Sequence, residues 1–96
     1  MLELSEAAIK DIEDILDRSV IDCGVPQTER YYDALNHCLA LLDENPDMGT
    51  TADDIREGYL RFPHQSHMIF YQVQSTGIRV IRVLHQRMDV KHQLNE

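Results

Sequence analysis

Histidine and arginine side chains gather in residues 59–96, where they could support chemistry on a phosphate group. Cleavage of RNA needs a base for the 2′-hydroxyl, an acid for the leaving oxygen and cations around the phosphorane. His85 could serve as the base or the acid, and the cations could be Arg61, Arg82 and Arg87. Positioned cations do most of the work in phosphate chemistry, however, and the only lysine in this region is Lys91. An RNA-cleaving site is therefore the less favoured hypothesis.

The histidines of the same region could also form a metal site, because imidazole is a common ligand of zinc and iron. They are His64, His67, His85 and His92. Their spacing is not diagnostic, and no cluster of cysteines or carboxylates accompanies them in the sequence. Scattered surface histidines, one of them hydrogen-bonded at a strand end, are the simpler explanation. We therefore expect no metal and no other cofactor.

The two cysteines, Cys23 and Cys38, are expected to be reduced thiols that pack in helices, because a cytosolic compartment keeps thiols reduced. A nucleophilic pair of Cys23 with His37 is disfavoured. Both residues fall on helices predicted to pack against other elements, and no third group is in place to orient the histidine.

Charge divides the chain into two unlike parts. The formal net charge is -8; residues 1–58 hold four basic residues against fifteen acidic ones, whereas residues 59–96 hold five basic residues against two acidic ones. An acidic half repels a phosphate backbone, so only the C-terminal half could contact nucleic acid, and the net charge opposes non-specific binding. The balance favours a protein partner over nucleic acid.

The length of the chain predicts a single domain over residues 1–96. Its hydropathy predicts a protein of the cytoplasm. No run of eighteen apolar residues could span a bilayer. The first twenty residues carry charges where an export signal would need an apolar core. We therefore expect no contact with a membrane.

The first half predicts an antiparallel pair of helices after a short strand at Leu2–Leu4. Ser5 is a suitable N-cap, and the first helix ends near Cys23–Gly24. Pro26 then opens a second helix that stops at Asn45–Pro46. The apolar stripes are Ala8, Ile12, Ile15, Leu16 and Ser19 in the first helix, and Tyr31, Leu35, Cys38, Leu39 and Leu42 in the second. The acids Asp11, Glu13, Asp14 and Asp17 are expected to form a solvated face.

The second half predicts a β-meander. After a loop over Pro46–Asp54, three runs rich in β-branched and aromatic residues follow: 59–62, 68–73 and 78–84. Ser75–Gly77 closes a tight hairpin between the last two runs. Aromatic side chains in a half-buried sheet usually belong to the core rather than to a base-stacking surface, and we expect this of Phe70 and Tyr71 among Tyr59, Phe62, Phe70 and Tyr71.

The last strand is apolar on both faces. Strict alternation places one set on one face (Ile78, Val80, Arg82, Leu84) and the other set on the opposite face (Arg79, Ile81, Val83, His85). Such a strand is normally covered on both sides. Either a segment of another chain covers the side that lies away from the helices, or this is an ordinary central strand whose arginines reach past apolar neighbours to water.

Two short sequence segments resemble those of a known family. His67–Tyr71, followed by Leu84–Asp89, resembles the ParE branch of the RelE/ParE toxins of bacterial toxin–antitoxin pairs. Further matches are Leu4–Ser5 with Ala8, Asp11 and Ile12; Asn45–Pro46 with Gly49; and Arg56 with Gly58–Tyr59. Many relatives carry arginine where this chain has Thr50, Met68 and Gln72.

The resemblance implies a single α+β domain in the order β-α-α-β-β-β, with a helical hairpin on a small antiparallel sheet and a short C-terminal turn. It also implies a non-enzymatic toxin that arrests growth by binding a protein, with DNA gyrase as the family's usual target. A cognate antitoxin with an acidic, partly disordered C-terminal segment would neutralise it in a hetero-oligomer. We expect the binding residues to be Arg61, Arg79, Arg82, His85, Arg87 and Met88. The alternatives are a ribosome-dependent RNA endonuclease of the RelE type and a non-toxic scaffold that shares the fold.

Overall fold

The computed structural model describes residues 1–86, in which two antiparallel helices pack on a five-stranded sheet. Helix α1 spans Glu6–Cys23 and helix α2 spans Val25–Glu44. Gly24 alone separates them, with φ 84°, a backbone conformation that residues with a Cβ rarely adopt. The predicted helical hairpin and its cap at Ser5 are confirmed.

The five strands run in the spatial order β1-β5-β4-β3-β2. The strands are β1 (Glu3–Leu4), β2 (Thr50–Thr51), β3 (Leu60–His64), β4 (His67–Gln74) and β5 (Gly77–His85), and a short 3-10 helix occupies Pro46–Met48. Strands β3, β4 and β5 form the predicted antiparallel meander. The α+β class is therefore confirmed.

Two details of the sheet differ from the prediction. Strand β1 pairs parallel to β5, so the sheet is mixed rather than purely antiparallel. Strand β2 lies within the segment predicted as loop and pairs with β3. The strand β1 was predicted, but its parallel pairing joins distant parts of the chain and has no local signal; β2 has two residues and is too short to show an alternating pattern. The predicted C-terminal turn after Met88 lies outside the described residues.

The main core fills the space between the helices and one face of the sheet. Tyr71 has no exposed surface and lies in this core, as predicted for it and for Phe70. The other buried members are Ala8, Ile12, Leu35, Cys38, Leu39, Leu42, Ile69, Ile78, Val80 and Val83. The helical stripes predicted from the sequence supply most of this list.

A β-bulge in β5 overturns the predicted division of its side chains between two faces. Arg82 pairs with Phe70 and Val80 pairs with Tyr71, so Ile81 is the extra residue. Beyond it the alternation reverses: Val83 joins Val80 beneath the helices, and Leu84 lies on the opposite face. Strict alternation holds only where the two strands stay in register.

The sheet face away from the helices is covered by the chain itself, at least around Phe70 and Leu84. Phe70 is 0% exposed and Leu84 is 2% exposed, and both pack with Ala52 and Tyr59. The N–H of Ala52 donates to the carbonyl of Tyr59 at 2.8 Å, which closes residues 52–59 into a compact turn. The alternative in which another chain must cover this face is therefore wrong for its centre.

Candidate functional site

A groove of about 650 Å³ lies between α1 and the C-terminal half of β5. The turn between β3 and β4 closes one end, and α2 contributes Gln27 and Tyr31. The remaining lining residues are Asp11, Asp14, Ile15, Arg18, Ser19, Asp22, Cys23, Gln65, Ser66, His67, Arg82, Val83, Leu84 and His85. Apolar side chains thus lie beside charged and hydrogen-bonding ones, a mixture suited to binding a polypeptide segment.

An ion pair between Asp11 and Arg82 fixes one end of the groove. The guanidinium donates to both carboxylate oxygens, at 2.7 and 2.8 Å, and the N–H of Val83 donates to the same carboxylate at 3.1 Å. The side chains of Asp11 and Arg82 are only 12% and 20% exposed. Asp11 is therefore not part of a solvated face, and Arg82 reaches α1 rather than water. Both expectations are corrected, because the guanidinium of Arg82 bonds to the Asp11 carboxylate of α1.

Ser5 links the start of α1 to the bulge. Its Oγ accepts a hydrogen bond from the N–H of Ala8 at 3.0 Å and donates one to the carbonyl of Ile81 at 2.7 Å. One hydroxyl thus caps the helix and satisfies the carbonyl of the extra residue in β5. Ser5 and Asp11 together hold α1 against β5 at the positions that shape the groove.

A row of three histidines crosses neighbouring strands at the opposite side of the groove. His64, His67 and His85 belong to β3, β4 and β5, and His67 is the strand partner of both others. The rings of His67 and His85 meet edge to face with centroids 5.5 Å apart. Tyr31 of α2 lies over the row, and its hydroxyl is 2.9 Å from Nδ1 of His67. Among the described residues, no cluster of ligating side chains could hold a metal ion.

Burial lowers the pKa of two members of this row, His64 and His67. It lowers the pKa of His67, and the neighbouring His85 and His64 lower that pKa further. Burial also lowers the pKa of His64 and raises that of Tyr31 to about 12. At neutral pH the Tyr31 phenol therefore keeps its proton, and in the tautomer of His67 that carries its proton on Nε2 the phenol donates to Nδ1.

The structure separates the residues predicted to bind a partner. Arg82 and His85 both line the groove. Arg61 instead forms an ion pair with Asp54, and Arg79 is exposed opposite Glu3 of β1. The predicted residues Arg87 and Met88 lie outside the described part of the chain.

Two residues that line the groove, Asp11 and Tyr31, were not predicted from the sequence as site residues. Asp11 lies three residues after Ala8 and four before Ile15, a spacing that puts it at the edge of the buried stripe. That spacing is a usable signal. Tyr31 was assigned to the core because it falls on the α2 stripe, and its contact with His67 has no signature in the sequence.

The α1 wall of the groove is rich in carboxylates. Asp14 pairs with Lys10 at 2.9 Å and Asp22 pairs with Arg18 at 2.8 Å, both as exposed pairs one helical turn apart. Exposed pairs of this kind hold their partners weakly. Asp14 and Asp22 are therefore available to a cationic side chain that enters the groove.

A hairpin of two helices laid on one face of a small sheet defines the structural class of this α+β domain. It has the fold of a solved structure described as "Chromosomal ParDE TA system from P. aeruginosa", with a TM-score of 0.75 at 15% sequence identity over 88% of this chain and 92% of that chain. Within residues 1–86, neither helix is long and apolar enough to cross a membrane.

Sequence comparison gives the family. Residues 2–90 match the model of the ParE toxin of type II toxin–antitoxin system, parDE. Toxin ParE1 of Mycobacterium tuberculosis is 44% identical over 92 residues, which cover 95% of this chain and 94% of that protein. Toxin ParE1 of Caulobacter vibrioides is 36% identical over 91 residues, with the same coverage. The chain therefore belongs to the ParE family and is the toxin of a type II toxin–antitoxin system.

Proposed function

We propose that this toxin acts in the cytoplasm by binding a protein target, DNA gyrase, and that a cognate antitoxin neutralises it by laying a segment in the groove between α1 and β5. The observation that carries the antitoxin part is the groove itself, which joins an apolar floor to hydrogen-bonding and charged walls. Gyrase is proposed because it is the usual target of the family to which the chain belongs.

The edge of β5 supports the groove as the binding position. Strand β1 pairs only with Arg79 and Val80, so it covers less than half of the nine-residue strand β5. From Ile81 onward the outer edge of β5 borders the groove. The Ile81 carbonyl and the Val83 N–H on this edge are bonded to Ser5 and Asp11, so an incoming segment would bind mainly by placing apolar side chains near Ile15, Val83 and Leu84.

The charges that line the groove indicate which side chains the bound antitoxin segment should carry. Arg82 and Arg61 are held by Asp11 and Asp54, which reduces the positive potential that the sequence predicts for this half. The α1 wall adds Asp14 and Asp22. We therefore propose that the portion inside the groove is apolar with basic residues, and that the acidic portion lies outside it toward the exposed Arg79.

The geometry favours binding over chemistry for the candidate catalytic residues. The guanidinium of Arg82 is engaged with both oxygens of Asp11, and the ring of His85 packs on the ring of His67. A ribonuclease would need these groups arranged around a phosphate. We therefore propose that the toxin is not an enzyme and uses no metal or other cofactor.

Supercoiling by purified gyrase tests the target. Toxin released from its antitoxin should block supercoiling or leave cleaved plasmid, and addition of antitoxin should restore supercoiled product. Full supercoiling at several-fold molar excess of toxin would contradict the gyrase proposal. Growth arrest on induction of the toxin gene alone, relieved by the antitoxin gene, separates a toxin from a harmless scaffold.

Truncated transcripts in a translation extract provide the matching test of RNA cleavage. If they appear with the purified toxin and disappear with His85→Ala while the fold is unchanged, the non-enzymatic proposal is wrong. The His37→Ala variant, altered at an exposed position of α2, is the matched control.

A further inference from the structure

The row of histidines beneath Tyr31 is not explained by gyrase binding or by packing alone. Three imidazoles on three adjacent strands make a cross-strand set in which the central one, His67, has an imidazole neighbour on each side. Nε2 of His64 is buried and has no hydrogen-bond partner among the described residues. An arrangement of this kind tolerates neutral rings and opposes positive charge.

We propose that this row is a proton-sensitive latch: neutral His67 ties α2 to the sheet through Tyr31, and a positive charge on His67, buried between His64 and His85, displaces its ring from Tyr31 and reshapes the groove. The latch joins elements far apart in the chain, because Tyr31 lies in the first half of α2 and His67 begins β4. Both residues line the groove, so loss of their contact changes the surface offered to a partner. The consequence for the antitoxin rests on the proposed function.

Within residues 1–86, the side chains in ring contact with His67 are those of Tyr31 and His85, and neither is a carboxylate. α2 presents the phenol of Tyr31, whose own electrostatic neighbour is the thiol of Cys38, while β3 presents His64 and β5 presents His85 and Arg82. Across the groove, α1 presents Asp11, Asp14, Arg18 and Asp22, and each carboxylate there already has a cationic partner. The influences on the pKa of His67 are burial, His85 and His64, and all three lower it.

The direction of the pH effect follows from that lowered pKa. Above the ordinary histidine value of about 6.5, His67 is neutral in both the latched and the opened state, and the latch has its full strength. Below that value, the opened state takes up a proton more readily than the latched state. Acidification therefore shifts the population toward the opened groove, and the shift saturates below the lowered pKa of the latched state.

The variant His67→Asn separates the effect of protonating residue 67 from the effect of losing its hydrogen bond with Tyr31. An asparagine amide oxygen can accept the Tyr31 hydrogen bond near the position of Nδ1, but it does not titrate. The matched control is His37→Asn, because His37 is an exposed histidine of the same helix as Tyr31.

The first arm of the test needs no partner. NMR titration of the imidazole signals from pH 8 to pH 5 should show His67 protonating below the ordinary histidine value of about 6.5, and ring contacts between Tyr31 and His67 should be lost in the same range. Protonation of His67 at or above that value, or contacts that survive protonation, would overturn the proposal. This arm uses the unaltered toxin and does not depend on how the variant folds.

The second arm measures the affinity of the cognate antitoxin at pH 7.5 and pH 5.5 by calorimetry. The unaltered toxin and His37→Asn should lose roughly fivefold or more, in the usual range for linked sites, while His67→Asn should lose clearly less. Equal losses for all three proteins would overturn the link to the antitoxin. Absence of binding even at pH 7.5 would contradict the proposed function, and the latch would then be judged by the NMR arm alone.

Discussion

The hydroxyl of Tyr71 accepts a hydrogen bond from the N–H of Gly49 at 2.9 Å, although Tyr71 has no exposed surface. The same hydroxyl donates to the carbonyl of Pro46 at 2.7 Å. A Cβ at position 49 would overlap the Tyr71 hydroxyl and lie 2.8 Å from the carbonyl of Arg61. Position 49 therefore requires glycine, because the Tyr71 side chain of β4 approaches its backbone so closely. Through these contacts with Pro46 and Gly49, β4 fixes the path of the chain after α2.

Replacement of Tyr71 by phenylalanine should reduce the free energy of unfolding by roughly 1–3 kcal/mol, the range for leaving a buried donor or acceptor unpaired. Chemical denaturation provides the measurement. Tyr32→Phe is the control, because Tyr32 is 44% exposed and should change stability by less than about 0.5 kcal/mol. Equal stability of the two variants would show that water replaces the lost partner.

The variant Asp11→Ala should cost about 2–3 kcal/mol, somewhat less than a fully buried ion pair, because it leaves Arg82 and the Val83 N–H without this carboxylate. Asp17→Ala, on an exposed position of α1, is the control. In a double-mutant cycle, Asp11→Ala with Arg82→Met should cost less than the two single changes together. Strict additivity would mean that the pair contributes no interaction of its own.

Ser5→Ala removes the helix cap and the partner of the Ile81 carbonyl in one step. We expect a loss of roughly 1–2 kcal/mol. Hydrogen exchange should also accelerate at the first turn of α1 and around the bulge of β5. Ser75→Ala in the exposed β4–β5 turn is the matched control, and faster exchange confined to α1 would show that Ser5 does not hold the bulge.

Alkaline pH should weaken the fold through Tyr31. Burial raises its pKa to about 12, whereas an unfolded tyrosine titrates near 10. Because the folded state retains the proton, stability is complete below about pH 10 and falls as pH rises toward 12. Tyr31 is only partly buried, so we expect a discounted loss of about 1–2 kcal/mol.

Tyr31→Phe should make the alkaline loss smaller without abolishing it. The pKa of Tyr71 is raised as well, with burial as the main cause, so part of the effect remains. Tyr32→Phe, at an exposed position of the same helix, is the matched control. A slope that is the same in the Tyr31→Phe variant would contradict the assignment to Tyr31.

Local signals in the sequence were enough to predict the helices and the three long strands. The cap at Ser5, the break at Gly24 and the stop at Asn45–Pro46 each act through neighbouring residues, which is why the boundaries agree with the structure. Alternation likewise identified the meander. These features need no knowledge of contacts between distant parts of the chain.

The features that shape the groove depend on distant contacts, and the sequence alone did not reveal them. Ser5 bonds to a carbonyl 76 positions away and Asp11 pairs with an arginine 71 positions away. These contacts stabilise the bulge at Ile81, which reverses the faces assigned to Val83 and Leu84. Arg82 and His85 both line the groove, whereas Arg61 pairs with Asp54 and Arg79 is exposed beside β1, and strand position alone does not show which of these side chains lie together.

The central claim is that the antitoxin lies in the groove between α1 and β5. Its most direct test is the affinity of purified antitoxin for Gln27→Trp, which places an indole in the groove, compared with Glu29→Trp, which places one on an exposed position of α2 outside the groove lining. We predict a loss of roughly a hundredfold or more for Gln27→Trp, the effect of about 3 kcal/mol, with unchanged binding to Glu29→Trp. Equal affinities for two folded variants would contradict the claim.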